Sequence, residues 1–143
     1  MRTSNATATW TGSLAEGNGE FSADSGAFAG EYSFGTRFGE EHGTNPEELI
    51  AAAHASCFSM ALALALGEEG YDPEEISTDA ECTIGEVDGA PTITEVRLST
   101  RGRVPGIDED TFRSVAGAAK DECPVSRAVA GNLEVHLEAE LVG

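Results

Sequence analysis

From Leu49 to Leu66 the chain runs 18 residues without a formal charge, although 24% of its residues are charged. The flanks mark this stretch as a helix. Asn45 can cap its start, Pro46 suits the first helical position, Glu47 and Glu48 sit where the helix dipole favours anions, and Gly67 follows the last leucine. A helix of this length spans about 30 Å. It is apolar almost all the way round, so it must be buried, in a membrane or in a protein core. Its length just reaches that of a membrane span. Its many alanines, Ser56, Ser59, His54 and the acidic flanks argue for a core helix and against the membrane. Cys57 lies in the middle of it.

The rest of the chain must cover this helix. At 143 residues it is long enough for one domain with a real core, spanning residues 1–143. Acidic residues number 26 against 8 basic ones, for a formal charge of -18, and Lys120 is the only lysine. Such a surface repels nucleic acid and anionic membranes. The acids are interspersed with periodic apolar residues, unlike the charge blocks of disordered tails. A cytoplasm at very high salt, where screening shortens the Debye length to about 3 Å, accounts for this balance. Cys57, Cys82 and Cys123 form no CxxC pair and no metal-ligand spacing. An odd cysteine count fits a reducing cytoplasm.

The N-terminal third reads as strands. Ala6, Ala8 and Trp10 alternate with threonines, and Gly17-Asn18-Gly19 is expected to turn the chain. Tyr32, Phe34, Thr36 and Phe38 then share one face of an expected strand, with Arg37 on the other. Beyond the helix, Ile76 to Ile84 alternate, Asp88-Gly89 marks a hairpin, and Thr94 to Thr100 form the returning strand. Asp108 can cap a second helix, Cys123-Pro124 starts a short third, and Leu133 to Leu141 alternate in a last strand. Strands come as hairpins, so the expected class is α+β with mainly antiparallel sheet. One chain can hardly wrap sheet around every face of so apolar a helix, and a two-fold dimer is the simplest way to complete the cover.

Each residue with chemical potential has a plainer role beside it. Cys57, flanked by Phe58 and Met60, is a small core residue or a reactive thiol. Cys82, among inward-facing residues of a strand, reads as structural. Cys123 precedes a proline at a helix start, where unpaired N–H groups lower a thiol pKa, while Asp121 and Glu122 oppose that effect. Glu47 and Cys57 sit about 80° apart around the helix, so they share a broad side, and Arg37 could bridge them or be a surface arginine. His54, one turn before Cys57, is a base or a core histidine, and the lack of an acidic partner favours the core. His42 and His136 read as exposed. No two histidines pair at metal-binding spacing, so no metal and no cofactor are expected.

The segments ATWTG, the GNG turn, FGTRF, EHGTNPEEL, the cysteine helix, VPGID and CPVS together resemble the osmotically inducible OsmC subfamily of the OsmC/Ohr proteins along the whole chain. That resemblance implies antiparallel sheets around a long buried central helix in an intertwined homodimer, with sites at the interface. It implies a thiol-dependent peroxidase of oxidative and osmotic stress defence. In such an enzyme Cys57 resembles the peroxidatic cysteine, Cys123 the resolving one, Arg37 the activating arginine and Glu47 its carboxylate partner. An external thiol, of which a lipoyl protein is one candidate, would reduce the resulting disulfide. Phe58 and Met60 would favour alkyl or aryl peroxides over hydrogen peroxide. The departure from the family pattern is the acidic charge. A non-catalytic binding module on the same fold, and a Cys57/His54 thiol hydrolase, are the alternative classes.

Overall fold

The alternating residues around Trp10 form the first strand of the structure, a computed structural model that describes residues 1–143. Strands β1 (Ala6–Thr11), β2 (Asn18–Ala23) and β3 (Ala29–Tyr32) make an antiparallel meander in that order. The expected turn at Gly17-Asn18-Gly19 lies earlier, because Asn18 and Gly19 already pair with Thr11 and Trp10. The aromatic rings explain Gly19. Trp10 and Tyr32 lie over it, and a Cβ there would come within 2.5 Å of the Tyr32 ring.

The strand expected through Phe38 ends at Tyr32, and a short helix α1 (Phe34–Phe38) takes its place. Ser33 is the reason. Its hydroxyl accepts from the Thr36 N–H at 3.2 Å, and the Thr36 hydroxyl accepts from the Ser33 N–H at 2.9 Å. This reciprocal capping box satisfies two backbone donors locally and overrides the alternating pattern. Asn45 then links two helices: its Nδ2 donates to the Thr36 carbonyl at 2.9 Å, and its Oδ1 accepts from the Glu48 N–H at 2.8 Å. The expected cap of the long helix α2 (Pro46–Glu68) is therefore present.

Residues Met1–Leu49 form one compact unit and Ile50–Gly143 another, with α2 running on from the first into the second. In the second unit, β4 (Glu75–Val87) and β5 (Ala90–Arg103) pair antiparallel around Asp88 and Gly89. These two residues have φ of 52° and 79°, the left-handed geometry of a two-residue hairpin. Helices α3 (Glu109–Glu122, capped by Asp108) and α4 (Pro124–Val129) then carry the chain to β6 (Glu134–Leu141). Strand β6 pairs parallel to β5, so this sheet is mixed, while the other three strand pairings are antiparallel, in keeping with the expected mainly antiparallel class. Parallel neighbours require a crossover of a dozen or more residues, and α3 with α4 is that crossover.

The core of this unit forms on one face of α2. His54, Phe58, Leu62 and Leu66, at every fourth position, are fully buried. The three apolar ones pack with Val96 and Leu98 of β5 and with Phe112, Ala116 and Ala119 of α3. Each large apolar side chain contributes about 1.5–3 kcal/mol by leaving water. Ser59 adds a polar tie by donating to the Thr78 hydroxyl at 2.8 Å. The cover is one-sided, for Met60 and Leu64 on another face keep 79% and 65% of their surface exposed.

Candidate active site

Cys57 and Cys123 are brought together by two different local devices. Cys57 is fixed on the middle of α2, next to the buried Phe58. Cys123 stands at a break between two helices. Its N–H donates to the Ala119 carbonyl at 2.9 Å and its carbonyl accepts from the Arg127 N–H at 3.0 Å, so it closes α3 and opens α4. Pro124 causes the break, since it lacks an N–H and pushes the preceding residue out of helical geometry. Cys123 has ψ of 126° accordingly. Its side chain is fully buried, whereas Cys57 is only partly covered.

Both thiols are free, and Cys57 packs against the cluster that holds Cys123, near enough for Cys123 to act on its proton affinity. Burial pushes the Cys57 thiol above its ordinary pKa, the neighbouring Cys123 adds to that rise, and the Val125 N–H opposes it by donating to the sulfur. Desolvation thus dominates, and the reactive anion needs further stabilisation from a cation. Beside the pair is a mainly apolar cavity of about 560 Å³, lined by Cys57, Met60, Leu64, Ala119 and Pro124, with Glu68 and Glu122 on its wall. Met60 therefore faces the space expected of it. Phe58 does not; it is 0% exposed and packs in the core. A larger cavity of about 840 Å³, lined by Arg113, Lys120, His136 and Glu138, contains neither cysteine.

Arg37 and Glu47 form a two-pronged ion pair. Nη2 donates to Oε1 at 2.7 Å, and Nε donates to Oε1 and Oε2 at 3.1 and 3.2 Å. Glu47 is 4% exposed, and the guanidinium lies 5.3 Å from the centre of the Phe38 ring. Clamped between a buried carboxylate and an aromatic face, Arg37 has a defined direction, and its Nη1 donates to no group of the chain. Glu47 and Cys57 stand ten positions apart in the sequence of α2, in different compact units. The hydrogen bonds of Arg37 run to Glu47.

His54 is a buried histidine. Its Nε2 is 2.8 Å from the Ser126 hydroxyl, and burial lowers its pKa, which keeps the ring neutral. Ser126 went unsuspected in the sequence, and so did the Val125 N–H; both follow directly on Cys123-Pro124, which was the available signal. Cys82 is partly buried on β4 and His42 is exposed. His136, expected exposed, is partly covered and approaches Glu95 and Glu134 at 3.1 and 3.4 Å. These three could hold a cation, although Arg97 already lies 3.5 Å from Glu95.

Residues 39–138 match the model of the OsmC-like protein family. The chain belongs to the OsmC-like family. Over 133 residues it is 46% identical to Peroxiredoxin OsmC of Escherichia coli (strain K12), covering 92% of both chains. It is 37% identical over 97 residues to an organic hydroperoxide resistance protein of Xanthomonas axonopodis pv. citri, covering 66% of each. The crystal structure of an organic hydroperoxide resistance protein from Elizabethkingia anophelis superposes with a TM-score of 0.82 at 29% identity, covering 99% of this chain and 98% of that one. The OsmC-like α+β fold around a central helix is thus common to all of them, and the apolar helix α2 is the core helix of that fold.

Proposed function

We propose that the protein is a thiol-dependent peroxidase that reduces organic hydroperoxides to alcohols in stress defence. The observation that carries this reading is that two free thiols, Cys57 and Cys123, neighbour each other beside an apolar cavity. The Cys57 thiolate attacks the distal oxygen of ROOH, the O–O bond breaks, and ROH leaves with a proton, so that Cys57 becomes a sulfenic acid. The Cys123 thiol then displaces water from that sulfur and a disulfide forms. An external dithiol, such as a lipoyl protein, returns both cysteines to thiols and is itself oxidised. The cavity wall formed by Met60, Leu64 and Ala119 accommodates an alkyl or aryl group, which hydrogen peroxide lacks.

In this reading the enzyme is a cytoplasmic homodimer. A second copy covers the exposed Met60 and Leu64 face of α2, and the oriented Arg37 of one copy serves the Cys57 of the other. The two-pronged pairing with Glu47, which orients the guanidinium, supports a further contact from it to sulfur or peroxide oxygen. A Cys57/His54 hydrolase is less well supported, since the hydrogen bond His54 makes goes from Nε2 to Ser126 and not to Cys57. One equivalent of cumene hydroperoxide should remove two titratable thiols per chain without crosslinking chains. In Cys57→Ser no thiol should be lost, and in Cys123→Ser a sulfenic acid should persist. Unchanged thiols in the wild type would refute the peroxidase.

A further inference from the structure

The buried His54–Ser126 hydrogen bond lies outside the chemistry assigned so far, yet it sits one helical turn from both reacting sulfurs. His54 is three residues before Cys57 on α2, and Ser126 is three residues after Cys123 at the start of α4. The His54–Ser126 bond, at 2.8 Å, therefore pins the segment that carries Cys123 in antiparallel register against the turn of α2 that carries Cys57. Val125, whose N–H lowers the Cys57 pKa, falls between Cys123 and Ser126 in the sequence. His54 is 0% exposed and Ser126 6%, so no water competes for the bond. It is the one polar tie between α2 and α4 that does not involve a reacting sulfur, and the side chain of Val125 adds only apolar packing.

We infer that His54 and Ser126 are positioning residues for the resolving step. This inference rests on the peroxidase reading above. The first oxidation needs only Cys57 and its cation. The second needs Cys123 to approach the oxidised sulfur, and Cys123 sits at a helix break whose register, once Cys57 is oxidised, would otherwise be set by packing alone. The hydrogen bond holds that break against α2, so the Cys123 thiol meets the Cys57 sulfenic acid before a second peroxide does. That competing reaction inserts a further oxygen into Cys57–SOH, releases ROH, and leaves an irreversible sulfinic acid. His54 acts in this inference through its Nε2 bond to Ser126, which sets the register of the two segments.

The test uses the full-length protein with no reductant present. Wild type, Ser126→Ala, Ser126→Thr and His54→Gln are treated with one equivalent and then excess cumene hydroperoxide. Peroxide consumption in the first turnover and intact mass report the outcome, as loss of two hydrogens for disulfide or gain of two oxygens for sulfinic acid. Ser126→Ala should take the first step at the wild-type rate and raise the sulfinic-to-disulfide ratio about tenfold, the effect of losing one buried hydrogen bond. Ser126→Thr, which keeps the hydroxyl, should restore the wild-type ratio. A purely structural role would lower thermal stability and leave the ratio unchanged, and that result overturns the inference. If Ser126→Ala shows no cooperative melt, His54→Gln carries the same comparison, again with an unchanged ratio as the overturning result. A wild type that consumes no peroxide defeats the peroxidase reading and this inference with it; a wild type that forms disulfide, with every variant matching it, defeats only the inference.

Discussion

A thiol buried beside another thiol and beside apolar side chains holds its proton to higher pH than a free cysteine does. For Cys57 the sign is fixed by desolvation first and by Cys123 second, with only the Val125 N–H opposing. The thiolate is the nucleophile, so the reaction of Cys57 should accelerate as pH rises and level off once its pKa is passed. A guanidinium works in the other direction, and Arg37 is held ready by three hydrogen bonds to Glu47. Arg37→Met should therefore move the pH profile of Cys57 alkylation toward higher pH. At neutral pH the rate should fall about tenfold or more, as expected for loss of a charge-assisted hydrogen bond. Iodoacetamide trapping across pH, followed by mass spectrometry, reads this directly, and an unmoved profile would remove Arg37 from the mechanism. At this scale the sequence was partly legible. The arginine, the carboxylate and the two cysteines stand in short motifs. The His54–Ser126 bond joins residues 72 positions apart, and no local pattern shows which turn of α4 will face which turn of α2.

The elements show where periodicity succeeds and where a single cap defeats it. The charge-free run with its Asn-Pro start made α2 readable, and the cap is present as expected. The segment Phe34–Phe38 alternated like a strand, but one capping box between Ser33 and Thr36 made it a helix and set the direction of Arg37. The direction of β6 was unreadable for a different reason. Alternation defines which face a strand buries, while the crossover path of α3 and α4 decides whether it runs parallel to β5. The all-round apolarity of α2 has a specific consequence. Leu62 fills the core of its own chain, and Leu62→Ala should cost about 2–5 kcal/mol of stability in chemical denaturation. Leu64 is 65% exposed, so its apolar surface stabilises a chain only when another copy covers it. Leu64→Glu should thus leave the fold intact by circular dichroism and shift the proposed dimer toward monomer in sedimentation, by at least about tenfold in dissociation constant. An unchanged sedimentation profile would mean that no second copy covers this face.

At the scale of the molecule, charge dominates. With a formal charge of -18 on 143 residues, the folded chain repels itself, and a dimer would bring two such surfaces together. The ion pairs do little to relieve this. Those of Arg97, Arg101, Arg103 and Arg113 lie at the surface, where each is worth at most about 1 kcal/mol. The Arg37–Glu47 pair differs, because its carboxylate is buried and its geometry is two-pronged. Salt should therefore act with opposite signs on fold and solubility on one side and on the surface pairs on the other. Screening of net repulsion involves every acidic residue, while screening of the pairs affects a few weak contacts. The first effect should win. Raising salt from about 0.1 M to 1 M, which cuts the Debye length from about 10 Å to 3 Å, should raise the melting temperature and favour the dimer. Sodium chloride and potassium chloride should act alike, since only their charge matters to screening. A melting temperature that falls or stays flat across that range would mean the acidic surface is already neutralised by bound cations or spaced widely enough not to matter. In that case the composition would carry no information about a high-salt cytoplasm.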